Sequence, residues 1–226
     1  MKNATIFSVR SPGVNAFYKV ENNIYTAGTE KIMPDSIWTT CTIKNKNFKL
    51  LDLDHPQVEK DILKEITSGV DVYYDRRWGL TQEFCEFLYE IPDLIENRDI
   101  LIIGAGIGAE TAVIGSMAEK LYINDLAPVA LDYCARQLRE NNINNFETIC
   151  GSYDSMDIPA VDLAVACFCV YTSETMKAMK NFIDRAECPV LIVNETLPNF
   201  VRLLKSVKRK RKPVVSEERF PCYLFE

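Results

Sequence analysis

The sequence predicts an α/β protein in which a doubly wound sheet occupies residues 71–226, after a small α+β segment over residues 1–70. Three observations predict this class. Short apolar runs alternate with amphipathic segments from Asp99 onward. The runs lack the strict alternation of half-exposed strands, as expected for strands buried on both faces of a parallel sheet. A glycine-rich turn joins the first run to a helical pattern.

Residues 1–70 show a less regular pattern. Turn residues separate four candidate strands, and Ser68-Gly69 closes a short predicted helix over Val58–Thr67. The candidate strands are Phe17–Val20, Asn23–Ala27, Ile37–Ile43 and Phe48–Leu53. We expect this segment to cover the site and to select the substrate, because function depends on what is added to a fold.

The elements of the predicted sheet follow in order. A helix over Leu80–Ile95, with Thr81 as its N-cap, comes first. The predicted strands are Ile100–Ile103, Lys120–Asn124, Phe146–Cys150, Val161–Val170 and Pro189–Val193. The helical patterns between and after them cover Ala130–Leu138, Ser173–Ala186 and Pro198–Lys208. Strands and helices that alternate in this way form an open sheet with right-handed crossovers.

Composition excludes several classes of protein. The longest apolar stretches are too short to cross a bilayer, which needs about 20 residues. Eight cysteines include no CxxC pair and mostly lie in apolar runs, and His55 is the only histidine. A disulfide framework and a zinc site are therefore not expected. We expect a cytoplasmic, soluble protein without a bound metal.

The formal net charge of −6 makes nucleic acid an unexpected partner. One local exception is the basic cluster Lys205–Lys212, which we interpret as a solvated helix end. Contact with an acidic partner is the alternative. The sequence does not indicate an oligomeric state.

The strongest local signal is Gly104-Ala105-Gly106-Ile107-Gly108, directly after a predicted strand and before a helix. Glycine allows the sharp turn and the close approach of a ligand to the backbone. Asp125 ends the next strand about 20 residues after the first glycine. A carboxylate in that place accepts hydrogen bonds from the ribose hydroxyls of a nucleotide-like ligand.

Two cofactors fit this loop and its acid. Gly104, Gly106 and Ala109 match the dinucleotide fingerprint, so an NAD-binding oxidoreductase is one interpretation. Gly108 completes the GxGxG spacing that is typical of S-adenosylmethionine sites. The chain after the loop leaves little room for a separate substrate domain, and no histidine follows His55 to serve in hydride transfer. These features favour S-adenosylmethionine.

The residues resemble the seven-strand, S-adenosylmethionine-dependent methyltransferases. Ile100–Gly108 is similar to their first motif and Ile123–Leu131 to their second. Gly151–Asp154 takes the place of the region that borders the adenine, and Val161–Ala164 resembles the start of the fourth strand. The resemblance covers about residues 72–205. It implies a Rossmann-like fold, S-adenosylmethionine as cofactor, and methyl transfer to a protein or small-molecule acceptor.

Within that superfamily the chain is most similar to family-16, lysine-methyltransferase-like enzymes, including the group that acts on electron-transfer flavoprotein. Those enzymes place a tryptophan before the helix that precedes the first motif, and Trp78 matches it. The resemblance implies a protein lysine as substrate. The cofactor-binding residues that it implies are Trp78, Gly104, Ala105, Gly106, Gly108, Asp125, Leu126, Tyr153, Asp154 and Phe168.

Methyl transfer is an in-line displacement from a sulfonium, so it needs alignment more than acid–base groups. Tyr171, at a predicted strand end, is the candidate that positions the substrate. Glu174 and Glu195 are candidates for negative charge near the sulfonium. The alternatives are an ordinary first-turn helix acid for Glu174 and a solvated loop residue for Glu195.

Two positions depart from the family pattern. Ile102 stands where the superfamily has an acid two places before the first glycine. Phe168 stands where family 16 has the acid of an acid-x-x-aromatic motif, of which Tyr171 is the aromatic. These departures leave open a relative that binds the cofactor without catalysis. A transferase that moves another group from the same cofactor is a further alternative.

Overall fold

The computed structural model describes residues 36–69, 73–75, 77–216 and 218–226. The predicted strands Phe17–Val20 and Asn23–Ala27 lie outside the described residues. The division of the chain at residue 70 stays a prediction.

Among the described residues, a hairpin and one helix lie before residue 70. They are β1 (Trp38–Ile43), β2 (Lys46–Leu51) and α1 (Pro56–Thr67). β1 and β2 pair antiparallel around Lys44 and Asn45, which both have positive φ, as primed hairpin turns require. His55 is the N-cap of α1, and its Nδ1 accepts a hydrogen bond from the N–H of Gln57. The two predicted strands and the predicted helix of this region are confirmed.

Seven strands form the main sheet. They are β3 (Asp99–Ile103), β4 (Lys120–Asp125), β5 (Phe146–Cys150), β6 (Leu163–Cys167), β7 (Val190–Val193), β8 (Arg211–Pro213) and β9 (Cys222–Phe225). Their order is β5-β4-β3-β6-β7-β9-β8. β3 to β7 are parallel, whereas β9 pairs antiparallel with both β7 and β8. The predicted α/β class is confirmed, and β8 and β9 are additions that the pattern did not predict.

Helices cover both faces of the sheet. They are α2 (Thr81–Leu88), α3 (Pro92–Ile95), α4 (Ala109–Gly115), α5 (Pro128–Glu140), α6 (Ser173–Arg185) and α7 (Pro198–Ser206). Successive strand residues point to opposite faces. Ile102 and Ile123 pack on the face that α2, α4 and α5 cover. Leu101 and Ile103 pack on the face that α6 and α7 cover.

The helix predicted over Leu80–Ile95 is wrong as a single element. α2 ends at Leu88 and α3 begins at Pro92, because a proline has no N–H to continue the first helix. Thr81 as N-cap is also wrong. Leu80 is the N-cap and makes no side-chain cap hydrogen bond.

The basic cluster Lys205–Lys212 runs from the end of α7 into β8. Arg209 donates hydrogen bonds to three backbone carbonyls at and after the end of α6. Lys210 and Lys212 pair with Glu226. The interpretation of the basic cluster as a helix end is therefore wrong for most of its residues. They instead join the end of α6 and β8 to the residue that follows β9.

The composition also predicted buried, unpaired cysteines. All eight cysteines are free, and five are buried, whereas Cys150 is exposed. Within the part of the chain that the structure describes, no helix is both long and apolar enough to cross a membrane.

Candidate active site

The glycine loop, Gly104–Gly108, joins β3 to α4 at the carboxyl edge of the parallel strands. Gly104 and Gly106 have φ of 58° and 51°. A Cβ on Gly104 would lie 2.7 Å from Sγ of Cys169, and one on Gly106 would lie 3.2 Å from Cβ of Tyr74. Both the backbone conformation and the close packing therefore require glycine at these two positions.

Asp125 ends β4 beside the glycine loop. Its Oδ2 accepts a hydrogen bond from the N–H of Gly106 at 2.7 Å, and its Oδ1 accepts one from the N–H of Ala127 at 2.9 Å. Burial raises the pKa of Asp125, and these backbone hydrogen bonds oppose the rise. A carboxylate has about four lone-pair positions, so acceptor capacity is left for ligand hydroxyls.

Asn124 holds the strand ends next to Asp125. Its carbonyl accepts a hydrogen bond from the N–H of Ala105 at 2.8 Å. Its buried side-chain amide donates to the carbonyls of Ile149 and Gly151, at 3.0 and 2.8 Å. The sequence analysis did not identify Asn124 as a site residue. The signal that could have identified it is a polar residue inside an apolar strand.

Leu126, predicted to bind the cofactor, and Gly151–Asp154, predicted to border the adenine, lie at the ends of β4 and β5. Leu126 is 58% exposed, which is unusual for a large apolar side chain beside a buried carboxylate. Asp154 accepts a hydrogen bond from the hydroxyl of Ser152 at 2.7 Å. The hydroxyl of Tyr153 donates to the carbonyl of Thr175 at 3.4 Å. The structure brings Leu126 and the turn after β5 to neighbouring strand ends.

Four rings form what we call the aromatic cluster: Tyr73, Trp78, Phe168 and Tyr171. The centroid of Trp78 is 6.1 Å from those of Phe168 and Tyr171, with interplanar angles of 19° and 16°. The rings of Tyr73 and Tyr171 are 4.1 Å apart. The cluster joins the segment before α2 to the segment after β6, and Tyr73 is the member that sequence reasoning missed.

Phe168 follows β6 in an unusual backbone conformation. Its φ is 55°, which is rare for a bulky residue, and its N–H donates to the carbonyl of Val193 at 2.8 Å. The side chain is only 4% exposed. The strand end where the family pattern has an acid therefore presents a buried ring, held against Trp78.

Asn194, directly after β7, fixes the segment that carries Tyr171. Its Oδ1 accepts from the N–H of Val170 at 3.0 Å, and its Nδ2 donates to the Val170 carbonyl at 3.2 Å. Tyr171 is held at its N–H by the Thr175 hydroxyl at 3.1 Å, and at its carbonyl by Asn199 at 3.0 Å. Asn194 also was missed, and its signal was a polar residue at the end of an apolar run.

The two candidate acids lie in different surroundings. A Cβ on Gly79 would lie 3.6 Å from Oε1 of Glu195, which places this carboxylate beside the residue that follows Trp78. Glu174 is exposed in the first turn of α6 and accepts a hydrogen bond from the Ser173 hydroxyl at 2.7 Å. That bond lowers the pKa of Glu174. The contacts of Glu174 are those of a helix-terminal acid.

Glu65 ties α1 to the neighbourhood of the glycine loop. Its buried carboxylate accepts hydrogen bonds from the Tyr74 hydroxyl and from the N–H of Val129, the latter at 3.0 Å. Tyr74 is the side chain that packs against Gly106. Part of the segment before residue 70 thus supports the site from the side of α5.

Comparison with known proteins gives a distant relative of known class. No protein-family model matches the chain. A curated protein, the probable ribosomal RNA small subunit methyltransferase A of Methanosphaera stadtmanae, is 26% identical over 107 residues. These residues are 47% of this chain and 40% of that protein. The chain therefore spans less than half the length of the curated relative that it matches.

A solved structure of low sequence identity shares the fold. Precorrin 8W decarboxylase of Methanobacterium thermoautotrophicum is 14% identical, with a TM-score of 0.50, over 70% of this chain and 95% of that one. An S-adenosylmethionine-dependent methyltransferase of Aquifex aeolicus is 15% identical, with a TM-score of 0.48, over 62% and 87%. The fold is the seven-stranded, Rossmann-like α/β fold. The finer resemblance to family 16 stays a prediction.

Proposed function

We propose that this chain is an S-adenosylmethionine-dependent methyltransferase. The observation that carries the proposal is the hydrogen bond that joins Asp125 to Gly106 at the carboxyl edge of the sheet. Strand order favours S-adenosylmethionine over a dinucleotide as the cofactor. β9 lies antiparallel between β7 and β8, whereas the dinucleotide-binding fold continues its sheet with parallel strands. The curated relative is itself a methyltransferase.

The residues present fit this cofactor. Asp125 has lone pairs left for the ribose hydroxyls, and exposed Leu126 offers an apolar surface to the adenine. Gly104 and Gly106 leave room for the methionine arm against the backbone. When bound, the cofactor supplies the electrophilic methyl group. The chain's own contribution is to align the acceptor and to exclude water from it.

The aromatic cluster is the proposed acceptor site, with Tyr171 and Trp78 as the residues that position the acceptor. Phe168 puts a ring where a carboxylate would hold a lysine amine. Nearly parallel rings suit a planar, uncharged acceptor, and proteins commonly stack exposed RNA bases on aromatic side chains. The first candidate acceptor is therefore a nucleobase.

The curated relative is named a probable ribosomal RNA methyltransferase, so the expectation that nucleic acid is not a partner loses its support. A net charge of −6 argues only against attraction by the molecule as a whole. Local contacts to a base are compatible with that charge.

A protein lysine is the second candidate acceptor, because Glu195 lies beside Gly79 next to the aromatic cluster. A carboxylate there would favour a cationic side chain, and aromatic faces also attract cations. Glu174, exposed on α6, has no part in this proposal.

Calorimetric titration with S-adenosylhomocysteine, with NADH as the control ligand, tests the cofactor. We expect micromolar binding of S-adenosylhomocysteine and none of NADH. Binding of NADH alone would establish the oxidoreductase alternative instead. Binding of neither ligand would contradict the proposed function.

Transfer of a labelled methyl group to an RNA fraction and to a protein fraction tests the acceptor. We expect ribonuclease-sensitive label that Glu195→Gln leaves unchanged. Protease-sensitive label that Glu195→Gln reduces would establish the lysine alternative. Label in neither fraction, from a protein that binds S-adenosylhomocysteine, would indicate a relative without catalysis. Cofactor labelled outside the methyl group detects transfer of another group.

A further inference from the structure

Glu110, the second residue of α4, is a carboxylate buried against the glycine loop. It is 5% exposed, and a Cβ on Gly108 would collide with its Oε2. Its own backbone N–H and the Thr81 hydroxyl on α2 favour the ionised form and so lower the pKa of Glu110. The third glycine of the loop therefore lies against the carboxyl end of this side chain.

The surroundings of Glu110 do not balance a buried charge. The cation that acts on it, among the described groups, is Arg77, whose guanidinium also donates to the carbonyl of Leu51 at 3.1 Å. Four thiols have pKa values that burial raises and that Glu110 raises further: Cys85, Cys134, Cys167 and Cys169, on α2, α5, β6 and the residues after β6. Burying a carboxylate without a close cation costs several kcal/mol. Packing alone does not explain why a carboxylate, rather than an apolar side chain, occupies this position.

The loop above Glu110 lies between the two halves of the proposed site. Gly106 is bonded to Asp125 on one side, and Gly104 packs against Cys169, next to Phe168, on the other. A cofactor whose ribose is at Asp125 and whose methyl group is at the aromatic cluster would have its sulfonium and methionine arm at this loop. The charges of the arm's ammonium and carboxylate cancel, and the sulfonium leaves a net charge of +1, so we expect net positive charge close to Glu110.

We propose that Glu110 is a positioning residue that supplies negative charge beneath the glycine loop when the methionine arm is bound. The inference rests on the proposed function, because it assumes S-adenosylmethionine as the ligand. No covalent bond changes. The Glu110 carboxyl group loses its proton to solvent as the cationic arm arrives.

The sign of the proton exchange follows from two opposing effects. Burial raises the pKa of Glu110, which favours its neutral form in the free protein. A cation placed nearby lowers that pKa again. At a pH between the pKa of Glu110 in the complex and its pKa in the free protein, binding releases a proton. Asp125, whose pKa burial also raises, can add to the release, so the wild type has to be compared with a variant at Glu110.

The experiment is calorimetric titration of S-adenosylmethionine in two buffers of different ionisation enthalpy, over roughly pH 5 to 8. The variant is Glu110→Gln, which keeps the shape and removes the charge. The matched control is Asp61→Asn on α1, where hydrogen bonds from Gln57 and Tyr133 hold the pKa of the carboxyl below its usual range. Asp61 is therefore ionised before and after binding.

We expect wild type and Asp61→Asn to release the same number of protons, and Glu110→Gln to release about one fewer at the pH of maximal release. Affinity of Glu110→Gln should fall by about tenfold, the equivalent of one pKa unit. Equal proton release and affinity in Glu110→Gln and wild type would overturn the inference and leave the proposed function intact. No binding to wild type would overturn the proposed function itself.

A second variant guards against misfolding of the first. Thr81→Val removes the hydroxyl that stabilises the ionised carboxylate. The pH at which binding releases the proton should therefore move upward, with folding checked by thermal melting. A release profile of Thr81→Val that coincides with that of wild type would contradict the inference.

Discussion

In the proposed cofactor half of the site, around the glycine loop and Asp125, backbone groups make the key contacts, whereas in the proposed acceptor half, around the aromatic cluster, side chains make them. Gly106 and Ala127 bind Asp125 through their N–H groups. The rings of Trp78 and Tyr171 meet only because two distant segments fold together. The first half depends on local conformation, and the second depends on tertiary packing.

This difference predicts separate consequences for binding and turnover. Changes in the cofactor half should reduce ligand affinity, because they remove acceptors or open the loop. Changes in the acceptor half should reduce stability or turnover and spare the affinity for S-adenosylhomocysteine.

The largest effect is expected for Asp125→Ala. The change removes the acceptor for the ribose hydroxyls and for the N–H of Gly106, at a cost of about 3 kcal/mol, or more than about a hundredfold in affinity. Calorimetry with S-adenosylhomocysteine measures it. Asp125→Asn keeps one acceptor oxygen and should lie between wild type and Asp125→Ala. Unchanged affinity in both variants would remove Asp125 from the site.

The next effect is a loss of stability in Asn194→Ala. The buried N–H and carbonyl of Val170 lose their partners, so the free energy of unfolding should fall by about 2 kcal/mol. Urea denaturation measures it. The matched control, Asn199→Ala, removes a single hydrogen bond to Tyr171 and should cost about 1 kcal/mol. A loss of cofactor affinity in Asn194→Ala would break the separation of the two halves.

Tyr171→Ala should reduce turnover by about tenfold, or roughly 1.4 kcal/mol, while affinity for S-adenosylhomocysteine changes less than about threefold. The reason is that the ring stacks on Trp78 and would align the acceptor. Single-turnover methyl transfer measures the rate. Tyr171→Phe keeps the ring and should retain most of the rate. Wild-type turnover in Tyr171→Ala would exclude this residue from the acceptor site.

The smallest effect concerns stability against pH. Burial raises the pKa of Glu110, so the folded chain keeps a proton that the unfolded chain has lost, and stability falls as pH rises through the raised value. Glu110→Gln removes that loss, so its free energy of unfolding should gain on wild type as pH rises. Asn194→Ala, which changes no titratable group, should differ from wild type by a constant amount. A constant difference for Glu110→Gln as well would contradict the burial of an ionisable carboxyl.

The same contrast explains how far the sequence alone could lead. The glycine loop and Asp125 could be predicted because left-handed φ and close packing demand glycine, and because the acid ends a recognisable strand. The parallel strands were predictable for a similar reason, since burial on both faces gives continuous apolar runs.

The acceptor half could be predicted only in part. Tyr171 was predicted from resemblance as the residue that positions the substrate, whereas Trp78 was predicted for the cofactor pocket. Tyr73 and Asn194 in this half, and Glu110 beneath the glycine loop, take their roles from partners far away in the chain. No local periodicity marks such partners. β9 was missed because its four apolar residues are too short to distinguish a strand from a core segment.

The most direct test of the central claim is one calorimetric titration of S-adenosylhomocysteine into wild type and into Asp125→Ala. We predict micromolar binding to wild type and a loss of more than about a hundredfold in the variant. Absence of binding to wild type, or equal binding to both proteins, would contradict the assignment of the cofactor site to the glycine loop and Asp125.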